Sequence, residues 1–316
     1  MVGTQEERHR RTTNTVLSKR SLVEYCLSES SSLLSLQKYQ LAFPAAIQAL
    51  KFCKEIDGEN ALSLVEPYLH LSQAALGMRQ LNKAEEFLAL ARWIVLNHDD
   101  CSDKIRSRLY TLKGRVGTAE GNFENAKEDY AQAIYYGSKC YGAESIVTSL
   151  GFYRLGDVFL AQGNMECALA FFDKVVDIWY KYLCELQQGT NPEGQPMTTG
   201  KNAILSEKMT PITAEQLTEE NLVEGRNQLE AIFEHRKRLL GNGHIATGEI
   251  QYTLGLFEFL LLSNNTMAET FILAALQSYE MQLGPAHSST RHVANMLQAV
   301  QQAIAEKYQH NGPLAY

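Results

Sequence analysis

The stretch that decides the fold is GNFENAKEDYAQAI, residues 121–134. Its apolar residues Ala126, Tyr130 and Ala133 lie four and three positions apart, which places them on one face of a helix. Trios with the same spacing occur at Ala42/Ala46/Ala49, Ala84/Leu88/Ala91, Ala168/Phe172/Val175 and Ala268/Ile272/Ala275. The first four trios begin 42 residues apart, and a constant period of this length is typical of a helical solenoid.

Further positions repeat ahead of each alanine. Small residues stand twelve positions before it, aromatic residues sixteen before it and turn glycines five before it: Ser72, Gly114 and Gly156; Tyr68, Tyr110 and Phe152; Gly121 and Gly163. This order of residues resembles the tetratricopeptide (TPR) repeat. The first unit is degenerate, since Glu29, Ser30 and Gln37 stand where apolar residues or glycine are expected. We therefore predict an all-α fold, a right-handed TPR-type superhelical solenoid of about six helical hairpins.

The pattern divides the chain into five segments. They are a polar N-terminal extension over 1–18, TPR repeats over 19–188, a disordered loop over 189–213, further TPR-like helices with a capping helix over 214–310, and a tail over 311–316. The loop holds Pro192, Pro196 and Pro211, three of the seven prolines in the chain. The spacing leaves room for one degenerate unit after it, with a helix from about Ala214 to Leu240.

Composition and the lack of catalytic motifs argue against several classes of function. The net charge is −7 without the basic footprint of a nucleic-acid-binding protein, and no run of 18 apolar residues predicts a membrane span. We find no phosphate-binding loop, no G-x-S-x-G and no H-E-x-x-H, so we expect no enzyme activity, no cofactor and no small-molecule substrate. The six cysteines are scattered, as expected of small buried hydrophobes in a reducing cytosolic or cytoskeletal compartment.

Two polar features have simple interpretations. The run EHRKR over 234–238 is predicted to be a solvated helix face, with a contact for an acidic partner as the alternative. His244 and His287 occupy equivalent linker positions and are expected to cap the helices that follow them rather than to bind a metal.

The candidate partner-binding residues lie on the first helix of each hairpin, which lines the concave face of a TPR array. They are His70, Gln73, Arg108, Arg115, Arg154 and Asp157. The three arginines form a basic stripe in an acidic chain, and arginine suits bidentate contacts with carboxylates. The alternative is that they serve solubility and pair within the chain. The asparagine and lysine clamp of TPR proteins that bind C-terminal carboxylates is absent.

Some stretches resemble a particular family more closely. They include Glu6-Glu7-Arg8, LVEYC at 22–26, FPAA at 43–46, VEPYL at 65–69, ARWIVL at 91–96, AIYY at 133–136 and VDIW at 176–179. They are similar to the TPR portion of the MYND-zinc-finger, TPR-containing protein of motile cilia and sperm flagella. The resemblance covers about residues 6–186. No residue matches the zinc ligands of the finger, so no metal is carried over.

The resemblance implies a non-enzymatic scaffold in the axoneme, in the cytoskeleton of a cilium or flagellum. Its expected work is to dock or tether dynein-associated complexes, and its expected partners are axonemal proteins: dynein-associated subunits, another TPR protein or doublet microtubules. The alternative is a cytosolic cargo or assembly adaptor similar to the TPR domain of kinesin light chain. The repeated linkers at Leu240-Gly241 and Leu283-Gly284 support that analogy, and the missing heptad coiled coil counts against it.

Overall fold

The computed structural model describes residues 4–189 and 219–310, and in these ranges the chain is helical and has no strand. A short 3₁₀ turn, Leu62–Leu64, precedes the third helix. The described helices are α1 Gln5–Ser35, α2 Tyr39–Asp57, α3 Val65–Gly77, α4 Leu81–Leu96, α5 Asp103–Glu120, α6 Phe123–Tyr141, α7 Ile146–Ala161, α8 Met165–Gly189, α9 Glu219–Leu240, α10 Ile245–Leu260, α11 Asn265–Leu283 and α12 Ser288–His310. The all-α TPR-type prediction is confirmed.

The chain forms two compact units. Unit 1 comprises Met1–Ala143 and Asp157–Gly163, and unit 2 comprises Glu144–Gly156 and Asn164–Tyr316. Helix α7 therefore contributes its first part to unit 2 and its last turn to unit 1.

In unit 1, three hairpins pack in chain order: α1 with α2, α3 with α4, and α5 with α6. The repeat trios of α2, α4 and α6 form the interior seam, and every member is buried as their spacing predicts. Gly114 of α5 lies so close to the Tyr130 ring of α6 that a Cβ there would meet the ring atoms at 2.6 Å. A small residue at this position thus lets the two helices of a hairpin come together.

Helix α1 begins at Gln5, ahead of Lys19, where the apolar pattern of the sequence begins. Thr4 and Glu7 form a capping box that satisfies free N–H groups at the helix start. Further along, Lys19 pairs with Glu55 at 2.6 Å and Arg20 with Asp57 at 3.3 Å, both on α2. Helix α1 therefore has a polar face and runs without a break from its N-terminal cap to the residues that pack on α2.

The first repeat unit is more regular than its sequence indicates. Ser30 is buried and its Oγ donates to the Ala42 carbonyl at 3.3 Å, as Ser72 does to Ala84 at 3.0 Å. Gln37 adopts a left-handed backbone with φ of 58°, the conformation that Gly121 takes with φ of 80°. At these two positions the first unit therefore has the same geometry as the later units, although Gln37 replaces the turn glycine of the third unit.

Unit 2 contains the hairpin of α7 and α8, then α9, the hairpin of α10 and α11, and α12 packed on α11. The trios of α8 and α11 are buried, as predicted. In α9 the residues Gly225, Leu229 and Ile232 have the same spacing, and both apolar side chains are fully buried. Gly225 faces the ring of Trp179 on α8. Helix α9 is therefore the second helix of its repeat unit, a register that the interrupted period hides.

Several other predictions have a structural outcome. All of the predicted loop except Gly189, the last residue of α8, lies outside the described residues, as does the tail. All six cysteines are free; Cys53 and Cys101 are buried as expected, whereas Cys140 is exposed. No described helix is both long enough and apolar enough to cross a membrane.

Candidate partner-binding sites

Four of the predicted partner-binding residues lie on α3 and α5 of unit 1: His70, Gln73, Arg108 and Arg115. Arg108 of α5 forms an ion pair with Glu66 of α3, and both side chains are about one-third exposed. His70 is only 4% exposed and so lies inside the unit instead of on its surface. Burial, and secondly the charge of Arg108, lower the pKa of His70 to about 4, so the ring is neutral near pH 7.

The remaining predicted residues divide between the two units. Gln73 and Arg115 in unit 1, and Asp157 in the last turns of α7, are half-buried. Arg154 belongs to unit 2, where its guanidinium lies 3.4 Å from Glu224 and over the Tyr153 ring. Arg108 and Arg154 are thus engaged within the chain. A joint role in partner binding stays a prediction.

Sequence reasoning missed an exposed apolar stripe on α4. Leu90, Trp93 and Leu96 follow one another at spacings of three on this helix, with exposures of 47%, 52% and 64%. Their neighbours Ala91, Ile94 and Val95 point into the core of unit 1 and are buried. The signal was present in the sequence, because the stretch 91–96 is apolar on more faces than a single buried stripe requires.

Sequence reasoning also missed a cavity of about 680 Å³ in unit 2. It is lined by side chains from α8, α9, α10, α11 and α12. Three carboxylates border it, those of Asp173, Asp177 and Glu249, together with one arginine, Arg236. Because residues from five helices converge there, no local motif marks the site.

Arg236 corrects the interpretation of the charged run on α9. The side chain is 1% exposed, although a solvated face was predicted. Its guanidinium donates to the Ala246 carbonyl at 2.6 Å and pairs with Asp173. Lys237 and Glu234, by contrast, form an exposed pair at 3.6 Å, as a solvated face would.

The two linker histidines act as predicted. The Nδ1 atom of His244 accepts the backbone N–H of Ala246 at 3.2 Å, at the start of α10. His287 does the same for Ser289 at the start of α12, also at 3.2 Å. Within the described ranges no group of three metal-ligating side chains comes together.

A tetratricopeptide repeat family model matches residues 107–136. This match covers most of α5, the turn and most of α6. The chain is thus shown by sequence, as well as by its helices, to contain a TPR-type hairpin.

Three solved structures to which the chain is similar are distant from it in sequence. The crystal structure of BtubC (BKLC) from P. vanneervenii is 12% identical, with 93% of this chain and 94% of that chain covered and a TM-score of 0.35. The apo form of RapI is 15% identical over 92% and 75% of the two chains, with a TM-score of 0.43. Aspartyl phosphate phosphatase F from Bacillus subtilis is 12% identical over 93% and 74%, with a TM-score of 0.45. At these values the likenesses carry no argument about function.

TPR-type arrays typically act as scaffolds that bind other proteins on extended surfaces, not as enzymes. The exposed stripe of α4 and the cavity of unit 2 are two surfaces of the described chain that are suited to such contacts.

Proposed function

We propose that this chain is a non-enzymatic TPR scaffold of the ciliary or flagellar axoneme that helps to dock or tether dynein-associated complexes. Its partners would be axonemal proteins: dynein-associated subunits, a second TPR protein or the doublet microtubules themselves. The resemblance of about residues 6–186 to the axonemal TPR family supports the location, and the TPR-type hairpins support the role in protein binding.

The observation that carries the proposal is the exposure of Trp93. The stretch ARWIVL at 91–96 is one of those that resemble the axonemal family. Ala91, Ile94 and Val95 are buried, so folding alone accounts for their apolar character. Trp93 and Leu96 are more than half exposed, so folding does not account for theirs. Tryptophan is enriched among the residues that dominate binding energy at protein interfaces, where neighbouring apolar contacts exclude water.

The test is fractionation of a tagged copy expressed in a ciliated cell. After the membrane is removed with detergent and the axonemes are washed with high salt, we expect the wild-type protein to remain with dynein subunits. Trp93→Ala should shift most of the protein to the soluble fraction without lowering its thermal unfolding midpoint appreciably. Met281→Ala is the control, since Met281 is an apolar side chain in unit 2 that is more exposed than Trp93, at 72% against 52%.

Two outcomes would overturn the proposal. Wild-type protein recovered in the soluble pool with motors or chaperones would favour the cytosolic cargo or assembly adaptor. Retention of Trp93→Ala at the wild-type level would remove the stripe of α4 as the contact surface.

A further inference from the structure

The cavity of unit 2 has the size of a ligand site and an acidic border. Its volume of about 680 Å³ lies within the range of roughly 300–1,000 Å³ that is typical of pockets for small ligands. Asp173 is already paired with the buried Arg236, so their charges offset each other. Asp177 and Glu249 then make the site negative. Asp177 lies 3.0 Å from Lys181, in an exposed pair that water screens.

Glu249 is the third carboxylate at the border of the cavity. Its carboxylate makes no hydrogen bond or ion pair with another described residue, and the residue as a whole is exposed. Desolvation and the neighbouring charge of Asp173 raise the pKa of Glu249, and Arg236 and His244 oppose that rise. A partly desolvated carboxylate that makes no hydrogen bond or ion pair of its own is the arrangement that an incoming positive charge stabilises.

Aromatic rings form the other wall of the cavity. Tyr252 of α10 lies 6.1 Å from Tyr180 of α8 and 5.9 Å from His292 of α12, measured between ring centroids. Tyr252 is 3% exposed, and its hydroxyl has no hydrogen-bond partner in the described chain. A buried tyrosine hydroxyl normally has one, which points to a donor or acceptor supplied by a ligand. Burial raises the pKa of Tyr180 to about 12, so this phenol stays neutral.

The charge balance decides which ligand fits. An anion is disfavoured, because three carboxylates border the cavity and the two terminal nitrogens of Arg236 already contact Asp173 and the Ala246 carbonyl. A cation would meet carboxylates, the electron-rich faces of tyrosine rings and a phenol oxygen able to accept a hydrogen bond. We propose that this cavity binds a basic side chain, lysine or arginine, from a peptide segment of a partner protein, with Glu249 as the counter-charge and Tyr252 as the hydrogen-bond acceptor.

The test uses synthetic peptides with the full chain, so it does not depend on the axonemal assignment. The probe is a blocked pentapeptide with a central lysine between glycines, titrated by ligand-observed NMR. Matched peptides carry acetyl-lysine, which lacks the charge, or glutamate, which reverses it. We expect the lysine peptide to bind, weakly and with an affinity that falls as salt is added.

Three variants locate the site. Glu249→Gln should weaken binding of the lysine peptide about tenfold by removing the counter-charge. Tyr252→Phe keeps the ring and removes the acceptor, so it should weaken binding about threefold. Glu234→Gln makes the same charge change on the exposed face of α9, away from the cavity lining, and should leave the affinity unchanged.

Each contrary result overturns the proposal. Equal binding of the acetyl-lysine peptide would show that charge is not recognised. Tighter binding of the glutamate peptide would show that Arg236 makes an anion site. An unchanged affinity in Glu249→Gln, or no binding of the lysine peptide up to about 10 mM, would remove the cavity as a cation site.

Discussion

At the scale of single residues, His70 is a buried base that makes the stability of unit 1 depend on pH. Its Nδ1 atom is buried without a hydrogen-bond partner, and its pKa in the folded chain is about 4. In the unfolded chain the pKa of histidine is about 6.5. Between these values the unfolded chain binds the proton and the folded chain does not, so the folded state loses stability as the pH falls.

We therefore expect the contribution of His70 to the free energy of unfolding to be fully present above about pH 6.5. It should decrease as the pH drops from there toward about 4. The full effect of His70 is about 3 kcal/mol, of which about 1 kcal/mol is lost between pH 7 and 5.5. Urea denaturation at the two pH values measures it. In His70→Gln the free energy of unfolding should depend less on pH. In His9→Gln, at an exposed position of α1, it should depend on pH as in the wild-type protein. An equal slope in all three proteins would exclude His70 as the cause.

The turn position five residues before each repeat alanine is the second feature at this scale. Arg79 has a left-handed backbone with φ of 59°, at the position where Gly121 has φ of 80°. A left-handed conformation costs an L-residue with a Cβ roughly 1–2 kcal/mol, partly offset by the greater flexibility of unfolded glycine. Arg79→Gly should thus raise the free energy of unfolding by about 0.5–1 kcal/mol.

The reverse substitution is the control for this turn. Gly121→Ala places a Cβ in open space, so only backbone strain acts, and it should lower the free energy of unfolding by about 1 kcal/mol. Chemical denaturation of both variants measures the pair. Destabilisation by Arg79→Gly would mean that its side chain, not its backbone, decides the turn.

At the scale of elements, one pair of facing positions shows how the two helices of a hairpin come together. In the hairpin of α5 and α6 the first helix has glycine and the second helix presents an aromatic ring, Gly114 with Tyr130. Where the first helix has serine, the side chain at the equivalent position is smaller, as in Ser72 with Leu88. The Cβ of serine and the ring of tyrosine would occupy the same space, so one of the two has to be small.

This pairing predicts strong coupling in α5 and α6. Gly114→Ser alone should destabilise unit 1 by about 1–3 kcal/mol, because its Cβ would meet the Tyr130 ring. Tyr130→Leu alone should also destabilise it, by leaving a cavity. The double variant recreates the pair found in α3 and α4. Its free energy of unfolding should be at least about 1 kcal/mol higher than the sum of the two single effects predicts. Additive effects in a denaturation series would show that the two positions do not share that space.

The elements also show what the sequence can predict. The trios were predictable because alanines at 42-residue intervals are buried by the same neighbours in each unit. The early start of α1 had a signal in Thr4 and Glu7, but a local cap is outweighed by the polar residues after it. The register of α9 was hidden, because glycine replaces alanine at 225 and the spacing is broken ahead of it.

At the scale of the whole molecule, function depends on surfaces that the repeat does not specify. The burial of Arg236 and the cavity beside it come from side chains on helices far apart in the sequence, so their meeting follows only from the packing of unit 2. The predicted concave-face residues are also subject to packing, since Arg108 is paired with Glu66. A variant that separates folding from partner binding is therefore needed to decide which of the two such an arginine supports.

A charge swap makes that separation at Arg108. Arg108→Glu removes the ion pair with Glu66 and reverses the charge, so loss of partner binding by this variant alone is ambiguous. Adding Glu66→Arg restores an ion pair between α3 and α5 but leaves the charge at position 108 reversed. If the predicted concave face binds an acidic partner, co-purification from axonemal extract should be lost in both variants, while the thermal midpoint recovers in the swap. Recovery of co-purification in the swap would assign Arg108 to the fold and not to partner binding.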